Sequence, residues 1–178
     1  MSKFVKKMMF AHQLDFEEGR FEMLGVRGVI LPAFTVTRLM EQAYEEVGED
    51  AFDILFQVGV DHGRMAIEDV GEEHSMSKNE FMKKMVESGN VMGVGKMSLE
   101  EFDPADGEAA VTLQDSPFAE QFMDSGTFQN LDRPVDDLIR GVLHGIFADI
   151  FDTETVTVEE TKCAFQGDGM CEFRPSRD

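Results

Sequence analysis

With 178 residues, the chain is long enough for one ordinary domain that builds its own core without staples. Its 36 Asp and Glu against 16 Lys and Arg give a formal net charge of −20, which repels phosphate backbones and anionic membranes and so argues against nucleic acid as a partner. No apolar run approaches the ~18 residues of a membrane span, and the opening MSKFVKKMMFAHQ holds too short an apolar stretch for a signal peptide.

A cytoplasmic protein is the expectation, with its acids, spread over the whole length, serving solubility. The apolar residues are drawn from 16 Phe and 13 Met, with one Tyr and no Trp. Two readings suit that palette: a Met-rich core, or an adaptable apolar cavity, because an unbranched thioether repacks around a guest.

In chain order, residues 8–17 read as a strand that turns at Glu18 and Gly19, and residues 20–33 continue extended, making a hairpin. Pro32 marks the edge of a helix that carries Val36, Leu39, Met40 and Ala43 on one stripe and stops at Gly48. A second helix spans residues 49–71, where Phe52, Leu55, Phe56, Val60, Gly63 and Ala66 recur at three- or four-residue steps. Gly59 and Gly63 share a face of it, which lets another backbone approach closely.

Ser77 and Glu80 form a capping box for a third helix that runs to Gly89. Residues 94–103 and 108–116 then flank the turn DPADG as an antiparallel pair. A short amphipathic turn or helix is expected over 117–126, and a long helix over 133–152. In the long one Pro134 lies near the first turn, Asp136 and Asp137 sit at the positive end of the dipole, and Leu138, Val142, Ile146 and Ile150 stack inward. A third hairpin closes the chain around the turn QGDG. The whole is α+β: one domain over residues 1–178, an antiparallel sheet built from hairpins and packed against helices.

The two cysteines, Cys163 and Cys171, flank that last turn with Gly167 midway. Directly opposed residues of a hairpin have Cβ atoms ~4.5–5.5 Å apart, so a disulfide, a shared metal and a pair of packed thiols are all open. Two cysteines are half of a four-ligand zinc site. Glu160, Asp136, His144 and Glu172 lie nearby in sequence, but alternation puts Glu160 on the face opposite Cys163 unless the strand bulges between them.

The histidines His12, His62, His74 and His144 fall in unrelated segments and form no metal-spaced pair; His144 reads as a helix residue. GNVMGVGK fails as a phosphate loop, having five residues between its glycines where four are required. No dinucleotide, nucleophile-elbow or HExxH motif occurs, so no nucleotide cofactor is expected.

The segments GVRGVILP, GEDAFDILFQVGVDHGR, LIRGVLHGIFADIF and VEETKCAFQGDGMCEF, in that order, resemble the 4-vinyl reductase domain family. That family is related in fold to the sensor modules of phenol-responsive activators and to subunits of the TRAPP transport complex, and the likeness runs from about residue 20. It implies a domain that encloses a hydrophobic ligand between helices and sheet, commonly as a homodimer. In the phenol-sensor branch the resemblance further implies a structural zinc site of a Glu, a Cys three residues on, a second Cys eight further, and a Cys near the start of the preceding helix. Glu160, Cys163 and Cys171 match the first three, and Asp136 stands where the motif has Cys.

The leading expectation is therefore a non-enzymatic sensor of a small hydrophobic molecule, acting through a dimer or a protein partner. Phe118, Phe122 and Phe147 are its candidate walls, and Arg140 and His144 its candidate polar groups. The alternatives are a reductase or accessory protein in tetrapyrrole or hydrocarbon metabolism, for which no flavin or nicotinamide motif is present, and a scaffold subunit of a complex.

Overall fold

The computed structural model describes residues 14–72 and 75–177. Strands β1 (Leu14–Glu17), β2 (Arg20–Met23) and β3 (Val26–Gly28) form a small antiparallel sheet in chain order. Helices α1 (Ala33–Val47) and α2 (Asp50–Ala66) follow, and α2 runs on through a π-helical turn, Ile67–Glu72. After α3 (Lys78–Met92) come β4 (Lys96–Asp103), β5 (Glu108–Gln114), α4 (Pro117–Asp124), α5 (Asp137–Ile150), β6 (Val156–Lys162) and β7 (Cys171–Arg177). The last four strands form an antiparallel sheet in the order β4-β5-β7-β6. The α+β architecture built from hairpins is as expected. No helix among the described residues is long and apolar enough to cross a membrane.

One apolar cluster lies between α3, α5 and the larger sheet, around Phe81, Met82, Leu113, Leu143, Phe147 and Phe173. A second, around Met40, Phe52, Phe122, Phe128 and Val135, joins α1, α2 and α4 to Cys163.

The contact that locks α2 to α5 is made by backbone. Cβ atoms built on Gly59 and Gly63 would strike the carbonyl oxygens of Leu138 and Val142, and those on Gly141 and Gly145 would strike Phe56 and Val60. The Gly59/Gly63 face was legible from spacing; its partner face on α5 was not.

Several boundaries and faces differ from expectation. Residues 8–13 of the first strand lie outside the described residues. Residues 20–33 are not one extended run: the chain turns at Leu24 and Gly25, both with positive φ (55° and 82°), to make a second hairpin. On α1 the buried residues are Thr37, Met40 and Glu41, while Leu39 is 65% exposed; Arg38 pairs with the buried Glu41 at 2.6 Å and makes that face tenable.

The Ser77–Glu80 capping box is present, but α3 passes through Gly89 and stops at Gly93. That residue takes φ 83° and donates its N–H to Gly89 O. On α5, Ile139, Leu143, Phe147 and Ile150 take the core side and Leu138 and Val142 are only half-buried. The inward face is rotated because Gly141 and Gly145 commit another side of the helix to α2.

Gly→Ala inside a helix ordinarily gains up to ~1 kcal/mol, yet Gly59→Ala and Gly141→Ala are expected to lose about 1–3 kcal/mol by overpacking. Gly89→Ala, whose Cβ would find ordinary contacts at 3.4–3.6 Å to Val94 and Met97, is expected to be neutral or stabilising. Urea unfolding of the three variants measures this, and a Gly59→Ala protein as stable as wild type would contradict the close contact.

Candidate functional site

The β6–β7 hairpin pairs Lys162 with Glu172 but Glu160 with Phe173, so Thr161 is an extra residue in β6. This bulge meets the condition that strand alternation imposes: it brings Glu160 onto the face of Cys163. Cys163 ends the extended run, one 3₁₀ turn follows over Ala164–Gln166, and Gly167 reverses the chain at φ 99°. Asp168 in the turn accepts the Cys163 N–H at 2.9 Å, and Ala164 N–H donates to Cys171 Sγ at 3.4 Å. Both cysteines are buried free thiols.

The third element is the entry to α5. Asp136 occupies the N-cap position, yet its side chain caps nothing; its Oδ2 accepts from Cys171 Sγ at 3.0 Å instead. Donor atoms of Asp136, Glu160, Cys163 and Cys171 all lie within 4.8 Å of one another. Glu172, adjacent in sequence, points away, accepting from Thr161 and Lys162 at 2.8 and 3.0 Å.

Four acids in a closed space cannot all ionise. Burial, then the neighbouring Asp136 and Cys163, pushes Glu160 up to about 10. The side-chain interaction with Cys171 draws Cys163 down to about 6. The same interaction raises Cys171, and burial raises Asp136.

One observation tests the fit of a metal directly: Glu160 Oε1 is buried with no hydrogen-bond partner among the described residues. Tetrahedral zinc, with Zn–S ~2.3 Å and Zn–O ~2.0–2.2 Å, needs donors roughly 3.5 Å apart. The present separations, from 3.0 Å between Cys171 Sγ and Asp136 Oδ2 up to a limit of 4.8 Å, bracket that value, so two thiolates and two carboxylates fit a divalent cation.

The other candidate residues fall into three places. Phe118 and Phe122 pack in the second apolar cluster, where Phe122 meets Phe128 edge-on at 4.9 Å. Phe147 is in the main cluster against Phe151 and Phe102. Arg140 and His144, one turn apart on α5, flank Phe56 at 5.2 and 5.4 Å. Arg140 Nε and His144 Nδ1 are buried without partners among the described residues. His62 is exposed; His12 and His74 lie outside the described residues.

Sequence reasoning passed over Ser88. It is 1% exposed, on the α3 face of Phe81 and Met85, and its hydroxyl has no partner among the described residues. The available signal was its helical spacing from those two apolar residues. A groove of about 390 Å³ also opens between the C-terminal ends of α2 and α5, lined by Arg64, Glu68, Asp149 and Glu154 among others, and is polar in character.

Burial first, and then the charge of Arg64, lowers the His144 pKa. A histidine depressed on folding stabilises fully above its unfolded pKa of ~6.5, and that contribution is lost as pH falls through the folded value. The thermal stability of wild type relative to His144→Phe is therefore expected to fall between pH 7.5 and 5. A pH-independent difference between the two melting curves would contradict the assignment.

Residues 110–176 match the family model of the 4-vinyl reductase domain, a span from β5 to β7 that contains all four clustered acids. The resemblance to that family is thereby borne out. Among solved structures, the chain is similar to the phenol-responsive sensory domain of the transcription activator PoxR, solved with phenol, at TM-score 0.80 and 18% identity over 99% of this chain and 92% of that one. It is also similar to a trafficking protein particle complex subunit 3 from Naegleria fowleri, covalently bound to palmitic acid. There the TM-score is 0.55 and identity 15%, over 82% of this chain and 92% of that one. A vinyl-4-reductase family protein from Methanocaldococcus jannaschii matches at TM-score 0.51 and 16% identity, over 86% and 84% of the two chains. No curated protein matches at a significant level.

Proposed function

We propose that the chain is a sensor-type binding domain for a small hydrophobic molecule, braced by a structural zinc centre and acting through a homodimer or a protein partner. The observation that carries this reading is the end-to-end likeness in fold to a sensory domain solved with phenol. The interior is in keeping with it: Ser88 is buried on the α3 face of Phe81 and Met85 with its hydroxyl unpartnered among the described residues, and one polar group among apolar ones is how a small aromatic or aliphatic guest is oriented. Phe147 would line the same core. Phe118 and Phe122 lie apart from it in the second cluster, and Arg140 and His144 against Phe56, so of the five candidates Phe147 is the one placed to meet such a guest.

Zinc would be held by Asp136, Glu160, Cys163 and Cys171. It would supply no reaction chemistry, only a fourfold cross-link between the β6–β7 hairpin and the start of α5. The same residues would carry the deprotonated donors that such binding requires.

The dimer or partner reading is supported by the linker between β3 and α1. Val29, Ile30 and Leu31 are 78, 72 and 53% exposed, and Phe34 just beyond is 62% exposed. Four large apolar side chains exposed within residues 29–34 make an uncovered apolar patch of the kind that marks an interaction surface. The scaffold reading draws on the same surface.

Native mass spectrometry of the purified chain, compared with its denatured mass, tests the reading. A retained apolar guest, one zinc per chain and a dimer are expected. An empty, metal-free monomer would sink it. Cys171→Ser is expected to reduce bound zinc from about one per chain to near none and to lower the melting temperature, read by elemental analysis and thermal unfolding.

A further inference from the structure

We infer that Asp137 is the positioning residue of the metal centre: it is not a ligand, and its carboxylate, held by Arg133 and Arg140, fixes the turn that aims Asp136 at Cys171. The inference rests on the metal reading above and concerns residues that the family motif leaves unassigned.

Asp137 is 2% exposed although it opens a helix, where acidic residues ordinarily sit in water near the dipole. Its oxygens accept from Arg133 Nη2 at 3.0 and 2.8 Å and from Arg140 Nη2. Arg133 also donates Nε to Pro134 O at 3.2 Å. One guanidinium thus joins residues 134 and 137, on either side of Val135 and Asp136.

Those two inner residues face the cysteines. Asp136 Oδ2 accepts from Cys171, and the Val135 backbone hydrogen-bonds Cys163. Asp136 has φ −90° and ψ 33°, away from the extended conformation of an ordinary N-cap. The staple across 134 and 137 accounts for that conformation. The staple is itself anchored to α2, since Arg133 lies 4.3 Å over the Phe52 ring and Arg140 5.2 Å over Phe56.

A purely structural role does not require this arrangement. A buried ion pair is often no more stabilising than well-packed apolar residues, and its best-attested use is fixing one geometry. Groups that orient metal ligands from behind typically change affinity ~10–100-fold when removed.

The test uses the full chain, stripped by chelator and titrated with Co²⁺ as the probe metal, with folding checked by circular dichroism. Asp137→Asn is expected to weaken Co²⁺ binding about 10–100-fold while keeping the thiolate-to-cobalt and d–d bands of wild type, because all four donors remain. Asp136→Asn removes a donor and is expected to shift the bands. Asp137→Glu keeps the charge and is expected to restore part of the affinity.

A folded Asp137→Asn protein with wild-type affinity overturns the positioning role and leaves the metal reading intact. A wild-type chain that takes up no Co²⁺ overturns both. If Asp137→Asn does not fold, Arg133→Gln serves, since it leaves the Asp137–Arg140 pair in place. Several-fold weaker Co²⁺ binding is expected of it, and unaltered binding overturns the role.

Discussion

The backbone-to-backbone contact of α2 with α5 sets where everything else in the molecule can go. Ordinary helix pairs are held 8–10 Å apart by side chains. Here two glycines on each helix remove those spacers, and each helix meets the other's carbonyls. The azimuth of α5 is thereby fixed. Its core face must then meet the sheet through Leu143 and Phe147, its edge must present Arg140 and His144 to Phe56, and its first turn must arrive beside the β6–β7 hairpin. Rotation of α5 would move the apolar cluster and the acid cluster together.

The second organising feature is electrostatic. In a chain of net charge −20, five acids or thiols converge at one end of α5. Burying unpaired charge there costs several kcal/mol per ion. The molecule divides the problem: two arginines neutralise Asp137, and the remaining four groups share protons and hydrogen bonds, with Glu160 and Cys163 driven in opposite directions. A divalent cation held there would resolve the same crowding by replacing those protons.

Much of this was legible because it depends on local rules. The hairpins at Gly19, Asp103–Gly107 and Gly167 announced themselves through Gly and Pro, though the one at Leu24–Gly25 did not, the start of α3 through Ser77 and Glu80, and the bare face of α2 through Gly59 and Gly63. The four clustered acids came from family likeness, with the geometry of the hairpin as support. What escaped depends on two-sided burial. A 3.6-residue period locates a stripe but not which of two buried sides faces which neighbour, so the stripes on α1 and α5 were rotated and the Gly141/Gly145 face passed unseen. Gly89 looked like a helix stop because nothing local distinguishes it from Gly93, where the backbone turns left-handed. Asp137 read as a dipole partner because its burial comes from Arg133, Arg140 and the rings of α2.

The bulge at Thr161 makes the hairpin asymmetric toward changes in length. With Thr161 present, Glu160 and Cys163 share a face although an odd number of positions separates them. Deleting Thr161 leaves an even separation, which a regular strand also places on one face, and it keeps Glu160 opposite Phe173 and Lys162 opposite Glu172. Straightening the strand absorbs the loss. An added residue beside Thr161 also makes the separation even, but a regular ladder then forms only if Val156–Glu160 slide two positions along β7. That slide takes Val156 and Thr157 off their present partners, Arg177 and Ser176. Thr161 itself is exposed and bonds Glu172, so its identity matters less than its being counted. The pairing of β6 with β7 thus accommodates a substitution or a deletion at this position more readily than an insertion.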